Sequence, residues 1–245
     1  KKLPKCLLTV PKQACACSTS ASFPSGALVA DVVYTPSQRI TTIGDGNFAF
    51  SRALARHFKS GSRVTASSLE SRDELIECYG QGITRTLNQL DKFGASVMHG
   101  VDVRNSQRHF RRNSCDVLVS NFPFAPAEGE SHSDRQRHGF DALGQLAAWI
   151  FETALWVVPV GGELHLRCTD KYLTARGLHS DVVPRGLSFH QRVDFGGAAE
   201  VYRSLGYRPG IVGRRGTFNV SAASTLVYKR VDLPLVARLI NEDMA

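Results

Sequence analysis

The chain reads as an α/β protein of the Rossmann-like type, with a mostly parallel sheet and helices on both faces. Three observations predict this. From residue 39 onward, short apolar runs of strand length alternate with segments of helical period, the pattern of a parallel sheet covered on both sides. A glycine-rich turn, Gly44-Asp45-Gly46, joins the first strand of that series to its first helix. Polar residues recur just past the ends of successive strands, the edge at which such sheets bind ligands.

Taken in order, Arg39 to Ile43 is a short strand, and Phe48 to Phe58 is a helix with Phe50, Leu54 and His57 or Phe58 at helical spacing. Gly61 ends it. Arg63 to Leu69 is the second strand, followed by Glu70. Ser71 to Cys78 reads as a helix with Ser71 as N-cap and Glu74 at capping-box distance. Ile83, Leu87 and Leu90 form the apolar stripe of a further helix that Gly94 ends. Ala95 to Val101 is the third strand, with Asp102 just after it, and Cys115 to Ser120 is the fourth, ending in Asn121-Phe122-Pro123. Leu143 to Val158 is the longest helix, and Pro159 to Gly162 turn the chain into the fifth strand, Glu163 to Cys168. Leu187 to Phe195 reads as a strand, Ala198 to Leu205 as a helix and Ala222 to Lys229 as the last strand. Residues 1–35 contain Pro4, Pro11 and Pro24, with Pro36 just after, and show no sustained period. The expected organisation is an irregular basic extension over 1–38, the Rossmann-like domain over 39–230 and a tail over 231–245.

The 245 residues are 42% hydrophobic and 21% charged, which suffices for a buried core. The net charge of +8 raises the encounter rate with polyanions, of which RNA and DNA are the usual examples, although a basic protein can lack such a partner. No run of about 18 apolar residues occurs, so no membrane-spanning helix is expected. The cysteines, Cys6, Cys15, Cys17, Cys78, Cys115 and Cys168, form no CxxC pair. No metal site is expected, since zinc wants four convergent ligands, and free thiols in a reducing compartment are the simpler reading. No acid precedes Asp31. That basic, serine-rich start is similar to the end of an organellar presequence, or to a basic arm gripping RNA or a neighbouring protein.

In Gly44-Asp45-Gly46-Asn47-Phe48, glycines let the backbone turn sharply and approach a ligand, and the helix that follows offers free N–H groups. Position 49 is Ala, so this is not the dinucleotide GxGxxG, and no Gly-Lys-Ser/Thr follows to make a phosphate loop. Glu70 stands where an acid can accept hydrogen bonds from ribose hydroxyls, or is a helix N-terminal acid favoured by the dipole. Asp102 is placed to meet an adenine amino group, or forms an ordinary Asx turn. In Asn121-Phe122-Pro123-Phe124 a side-chain amide can hold a base edge, the rings can stack on a flipped base, and proline stiffens the loop. Arg104, Arg108, His109, Arg111 and Arg112 form a basic cluster suited to phosphates, or a solvated loop.

These residues carry a resemblance. Gly44-Asp45-Gly46-Asn47-Phe48-Ala49-Phe50-Ser51 resembles the GDGNFSFS signature of a eukaryotic family of Rossmann-like methyltransferases, which includes large-subunit rRNA enzymes that modify a ring nitrogen of uridine. Ala66 to Leu75 resembles the family's ATSxDSxxEL, His99-Gly100-Val101-Asp102 its HGVDAT, Asp116 to Pro123 its DxIxFNFPH, and Pro159 to His165 its KPGGEIHVT. Weaker echoes lie at Tyr207 to Gly210 and Arg214 to Thr217. The resemblance spans about residues 39–229. It implies a class I S-adenosylmethionine-dependent methyltransferase fold, with S-adenosylmethionine as methyl donor. Gly44, Asp45, Gly46, Asn47 and Phe48 would cradle its amino-acid end, Glu70 its ribose and Asp102 its adenine. Asn121, Phe122 and Pro123 would face the methyl group and the target base. It further implies rRNA and ribosomal or assembly proteins as partners, in ribosome biogenesis. The acid-poor start points to a mitochondrion, the family's familiar setting to the nucleolus.

There are departures. Phe124 stands where the family has histidine, Glu128-Gly129-Glu130 follows, the tyrosine-rich C-terminal motif is degraded, and Lys171 and Arg176 replace a Gly-Pro-Tyr-type pattern. They lie on the substrate side, and they leave open a ribosome-assembly factor that keeps the fold without catalysis. A nicotinamide-dependent oxidoreductase is a third reading, weakened by the missing third glycine. Ring-nitrogen methylation needs no covalent nucleophile, and no cysteine lies in the Asn121 loop, which excludes carbon-5 chemistry on a pyrimidine. Asp170 and His165 are candidate general bases, His165 equally a strand residue satisfied within the sheet.

Overall fold

The strands expected from residue 40 onward join into one seven-stranded sheet. It is seen in a computed structural model that describes residues 24–124, 132–169, 183–211, 214–217 and 219–232. In chain order the elements are β1 (Leu28–Val29), β2 (Val33–Tyr34), β3 (Ile40–Ile43), α1 (Ala49–Phe58), β4 (Val64–Ser67), α2 (Arg72–Tyr79), α3 (Gly82–Lys92) and β5 (Ser96–Met98). A 3-10 segment (Val103–Arg108), β6 (Val117–Asn121), α4 (His132–Val157), β7 (Glu163–Thr169) and β8 (Leu187–Asp194) follow. The series closes with α5 (Phe195–Ser204), β9 (Gly210–Ile211), β10 (Arg214–Thr217) and β11 (Ala223–Arg230).

The large sheet runs β5-β4-β3-β6-β7-β11-β8. β5, β4, β3, β6 and β7 are parallel, and β11 inserts antiparallel between β7 and β8. The first strands match the doubly wound order, but the inserted antiparallel β11 departs from the 3-2-1-4-5-6 order of dinucleotide-binding sheets. The mostly parallel sheet is the one expected, and the inserted strand counts against the nicotinamide-dependent reading.

Side chains alternate between the faces of each strand, and the two faces are filled differently. On one, Leu118, Leu164, Leu166 and Leu226 pack against Leu143, Ala147, Ile150, Phe151 and Ala154 of α4. On the other, Ile40, Val117, Val119 and Val227 meet Phe50, Ala53 and Leu54 of α1, Phe195 and Tyr202 of α5, and Leu28, Val32 and Tyr34. A third cluster joins Phe48, Ala55 and Ala66 to Leu75, Ile83, Leu87 and Leu90 of α2 and α3.

Local chemistry fixes the helix ends. Ser71 and Glu74 form the expected capping box: the Glu74 side chain accepts from the Ser71 N–H at 2.7 Å, and Ser71 Oγ accepts from the Glu74 N–H at 3.3 Å. The segment 24–38, expected to be irregular, instead carries the β1–β2 hairpin with Leu28 opposite Tyr34. Two-residue strands are too short to show a period, which hid them. The 3-10 segment, the β9–β10 hairpin and the start of α4 at His132, ahead of the expected Leu143, likewise go beyond the sequence pattern. No helix among the described residues is long and apolar enough to cross a membrane.

Candidate functional site

The carboxyl ends of β3, β4, β5 and β6 are neighbours in the sheet, so the residues just past them share one edge. Gly44 follows β3 in the left-handed region, at φ +62°, and a Cβ built there would meet nothing within 4 Å. Open space therefore faces this glycine. Gly46 also has positive φ, but its Cβ would collide with the Tyr79 hydroxyl at 2.7 Å. Its need for glycine comes from the left-handed backbone and from the tyrosine of α2.

Asp45 turns inward. The N–H of Ser51 donates to its carboxylate at 2.9 Å, and the Ser51 hydroxyl donates to the same oxygen. Burial pushes its carboxyl up to about 6, against the hydrogen bonds from Ser51 that lower it. The Asp45 N–H donates to Ser67 O at 2.9 Å, tying the loop to β4. Asn47 is occupied at both ends: its Oδ1 accepts from the Ala49 N–H and its Nδ2 donates to Arg208 O. Phe48 is fully buried, at φ +55° as the N-cap of α1, with its ring edge-on to His99. Of this loop, Gly44 and the backbone remain for a ligand, and Asp45, Asn47 and Phe48 hold the loop's shape.

Glu70 is half-buried after β4 and accepts from the Ser68 hydroxyl. Beside it Leu69 is 57% exposed. Asp102 caps the 3-10 segment by accepting from the Arg104 N–H at 2.9 Å, and it pairs with the Arg104 guanidinium at 2.6 Å. The hydrogen bond from the Arg104 guanidinium holds the Asp102 carboxyl below the ordinary value, and the Arg104 N–H and charge add to it. The acid and the cation, assigned from sequence to different ligands, are thus joined to each other. Arg108, Arg111 and Arg112 are exposed. Arg104 lies over the Trp149 ring and Arg112 over Trp156, each at 5.9 Å, so α4 carries part of the basic cluster.

At the end of β6, Phe122 adopts φ +52° and packs edge-on against Phe195 with ring centres 5.5 Å apart. Its ring joins the core rather than standing free for a base. Pro123 is half-buried, and Phe124 is 68% exposed, so the ring available for stacking is Phe124. The amide of Asn121 is held by a residue that sequence reasoning missed. Arg167, with no exposed surface, donates from Nη1 to Asn121 Oδ1 at 2.8 Å.

Arg167 is fixed from all sides. It pairs with Asp31 at 3.1 Å with both side chains fully buried, donates to the hydroxyls of Tyr34 and Tyr202, and lies over Phe50, Phe195 and Tyr202 at 4.9 to 5.0 Å. Burial alone would raise the Asp31 carboxyl. The charge of Arg167 and hydrogen bonds from Thr225, Tyr202 and Arg167 outweigh it and hold the carboxyl below its usual value. Two residues back on the same face, His165 is buried with both ring nitrogens engaged, Nδ1 to Tyr34 Oη and Nε2 to Glu163, each at 2.9 Å. It lies in mid-strand and is a satisfied sheet residue, not a base at the strand ends. The available signal for Arg167 was a charged residue at every second position, Glu163, His165 and Arg167, in a strand otherwise apolar.

Asp170, Lys171, Arg176 and the Glu128 to Glu130 insert lie outside the described residues. Among the described residues no group of His, Cys, Asp and Glu could hold a metal ion. A cavity of about 430 Å³ lined by Arg39, Ser62, Arg63 and Ser114 opens at the opposite, amino end of β3 and β4, away from the residues above.

Residues 41–204 match the family model BMT5-like, described as rRNA (uridine-N3-)-methyltransferase BTM5-like. An Arabidopsis thaliana protein described only as uncharacterized is 28% identical over 208 residues, 80% of this chain and 94% of the relative. The Arabidopsis thaliana heavy metal-associated isoprenylated plant protein 41 is 33% identical over 141 residues, 56% of this chain and 26% of that protein. This chain therefore spans about a quarter of the second relative. Among solved structures, TrmN from Thermus thermophilus is 16% identical with a TM-score of 0.46, over 80% of this chain and 45% of that one.

Proposed function

This chain belongs to the BMT5-like rRNA (uridine-N3-)-methyltransferase family, and from that premise we propose that it transfers a methyl group from S-adenosylmethionine to a uridine ring nitrogen of ribosomal RNA. The observation that carries the reading is the edge shared by four strand ends. There an open left-handed glycine, Gly44, a half-buried acid, Glu70, and an amide, Asn121, stand on adjacent strands.

The residues present fit the donor. Gly44 leaves room for a group to lie against the backbone. Glu70 has one oxygen engaged by Ser68, which leaves the other to accept from ribose hydroxyls. Asp102 would approach the adenine with its carboxylate already shared with Arg104. S-adenosylmethionine, when bound, supplies a methyl carbon made electrophilic by the adjoining sulfonium. What the chain must do is align the base nitrogen about 3 Å from that carbon and let the ring proton leave. Asn121 holds the base edge, Pro123 stiffens its loop, and Phe124 offers a ring for stacking. Arg108, Arg111 and Arg112 meet RNA phosphates.

A second reading, a ribosome-assembly factor that binds the donor without transferring the methyl group, rests on Phe124 standing where the family has histidine. Action in ribosome biogenesis, in the mitochondrion or alternatively the nucleolus, and contact with ribosomal or assembly proteins belong to the same proposal. Their support is the family and the acid-poor start.

The test is incubation of the purified full chain with methyl-tritiated S-adenosylmethionine and large-subunit rRNA lacking modifications, followed by nucleoside analysis. The expected product is 3-methyluridine. Donor binding with no labelled nucleoside supports the second reading, and a labelled exocyclic amine or ribose contradicts the first.

A further inference from the structure

Asn121 ends β6 directly across the ladder from Arg167 of β7. An arginine side chain has donors and no acceptor, so the atom that Arg167 Nη1 contacts at 2.8 Å must be the amide oxygen. That fixes which way the amide faces, a point usually left to inference. Its other end, Nδ2, is buried and has no hydrogen-bond partner. Buried polar groups left unpaired are rare in folded proteins, and each calls for a reason.

The amide cannot easily turn to relieve this. Arg167 is locked by the Asp31 carboxylate, by the Tyr34 and Tyr202 hydroxyls and by three aromatic faces. Asp31 is locked in turn by the Tyr202 hydroxyl at 2.6 Å and by that of Thr225. Exchanging the amide's ends would set an N–H against a guanidinium N–H deep in the protein. The β3–β6 register pairs Ile43 with Ser120, so Asn121 stands beside Gly44, at the edge where the donor would lie.

We propose that Asn121 acts on the acceptor base as a hydrogen-bond donor, held in that role by Arg167 and Asp31 as positioning residues. The site thereby selects a ring imide, with carbonyl oxygens flanking the nitrogen, over a base bearing an exocyclic amine. This deepens the methyltransferase reading and rests on it. An amine-bearing base would present its own N–H toward Asn121 Nδ2, donor against donor. A ring imide presents a carbonyl on either side of its nitrogen, and that oxygen accepts from Nδ2.

Asn121→Asp isolates the donor. The new carboxylate still accepts from Arg167, so the fold is kept, but no N–H remains for the base. The full chain is labelled with 15N-asparagine, and the Asn121 amide pair is identified by its absence from N121D. With S-adenosylhomocysteine present, millimolar uridine 5′-monophosphate is expected to shift that pair and slow its exchange with solvent, and cytidine 5′-monophosphate to leave it unchanged. In Arg167→Lys the pair loses its response to the uridine nucleotide, because the amide is no longer held. In methyl transfer to rRNA, N121D lowers kcat by about 10²-fold or more, with the KM for S-adenosylmethionine unchanged.

The proposal is overturned if both nucleotides move the pair alike, if neither moves it, or if N121D transfers as well as the wild type. A wild type that shows the selective shift yet transfers no methyl group refutes the methyltransferase reading and leaves the donor role of Asn121 standing.

Discussion

The Arg167 guanidinium and the Asp31 carboxylate meet at 3.1 Å with neither side chain exposed, joining strand β7 to the β1–β2 hairpin across 136 residues of sequence. Removing one partner leaves the other charge buried and uncompensated, a loss of about 3–5 kcal/mol. Asp31→Ala and Arg167→Met are each expected to destabilise the protein by that amount in urea unfolding. Asp31→Asn combined with Arg167→Met should cost much less than the sum of the single losses. Additive losses would show that the two charges do not depend on each other.

Asp45 predicts a pH dependence of the opposite sign to that of an ordinary acid. Its folded-state carboxyl lies at about 6 against a reference of 3.8. The protonated form is favoured on folding, so its contribution is present at low pH and is lost as pH rises from about 4 through 6. Asp45→Asn removes the ionisation. Its melting temperature relative to wild type should therefore climb between pH 4 and 7, by the equivalent of about 2–3 kcal/mol. A constant difference across that range would contradict the assignment.

His165 acts in the other direction. Burial holds its pKa below the reference 6.5, against the Glu163 hydrogen bond that raises it, so the folded protein keeps the ring neutral. As pH falls below 6.5 the unfolded chain takes up a proton that the folded chain resists, and stability drops. His165→Gln should flatten that decline in thermal unfolding between pH 7 and 5. A decline as steep as that of the wild type would place its cause elsewhere.

Gly44 and Gly94 both have positive φ with open space where a Cβ would go, so alanine at either should cost about 1 kcal/mol or somewhat more. Only Gly44 stands at the candidate site. Gly44→Ala should weaken S-adenosylmethionine binding at least tenfold by calorimetry, and Gly94→Ala should leave it unchanged. Equal effects would remove the argument for the open glycine.

What the sequence disclosed was local. The Gly44 turn, the Ser71 to Glu74 capping box and the strand ends at Glu70, Asp102 and Asn121 rest on short-range spacing, which a sequence displays directly. The hairpin carrying Asp31 has strands too short for a period. The Arg167 cage draws on Asp31, Tyr34, Phe50, Asn121, Phe195 and Tyr202, scattered across most of the chain. Asp102 and Arg104 show a similar limit: two residues apart, they suggest separate ligands, and their pairing depends on the 3-10 turn that Asp102 caps. The sequence offers Phe122 as a stacking ring, but its left-handed backbone turns it into the core.

The strand-end edge is expected to hold an adenosyl sulfonium, and a calorimetric titration of the full wild-type chain with S-adenosylmethionine, then with NAD, tests this directly. Saturable one-to-one binding of S-adenosylmethionine, weakened by Glu70→Ala, and no binding of NAD are the expected result. No heat with S-adenosylmethionine, or binding indifferent to Glu70→Ala, would contradict it.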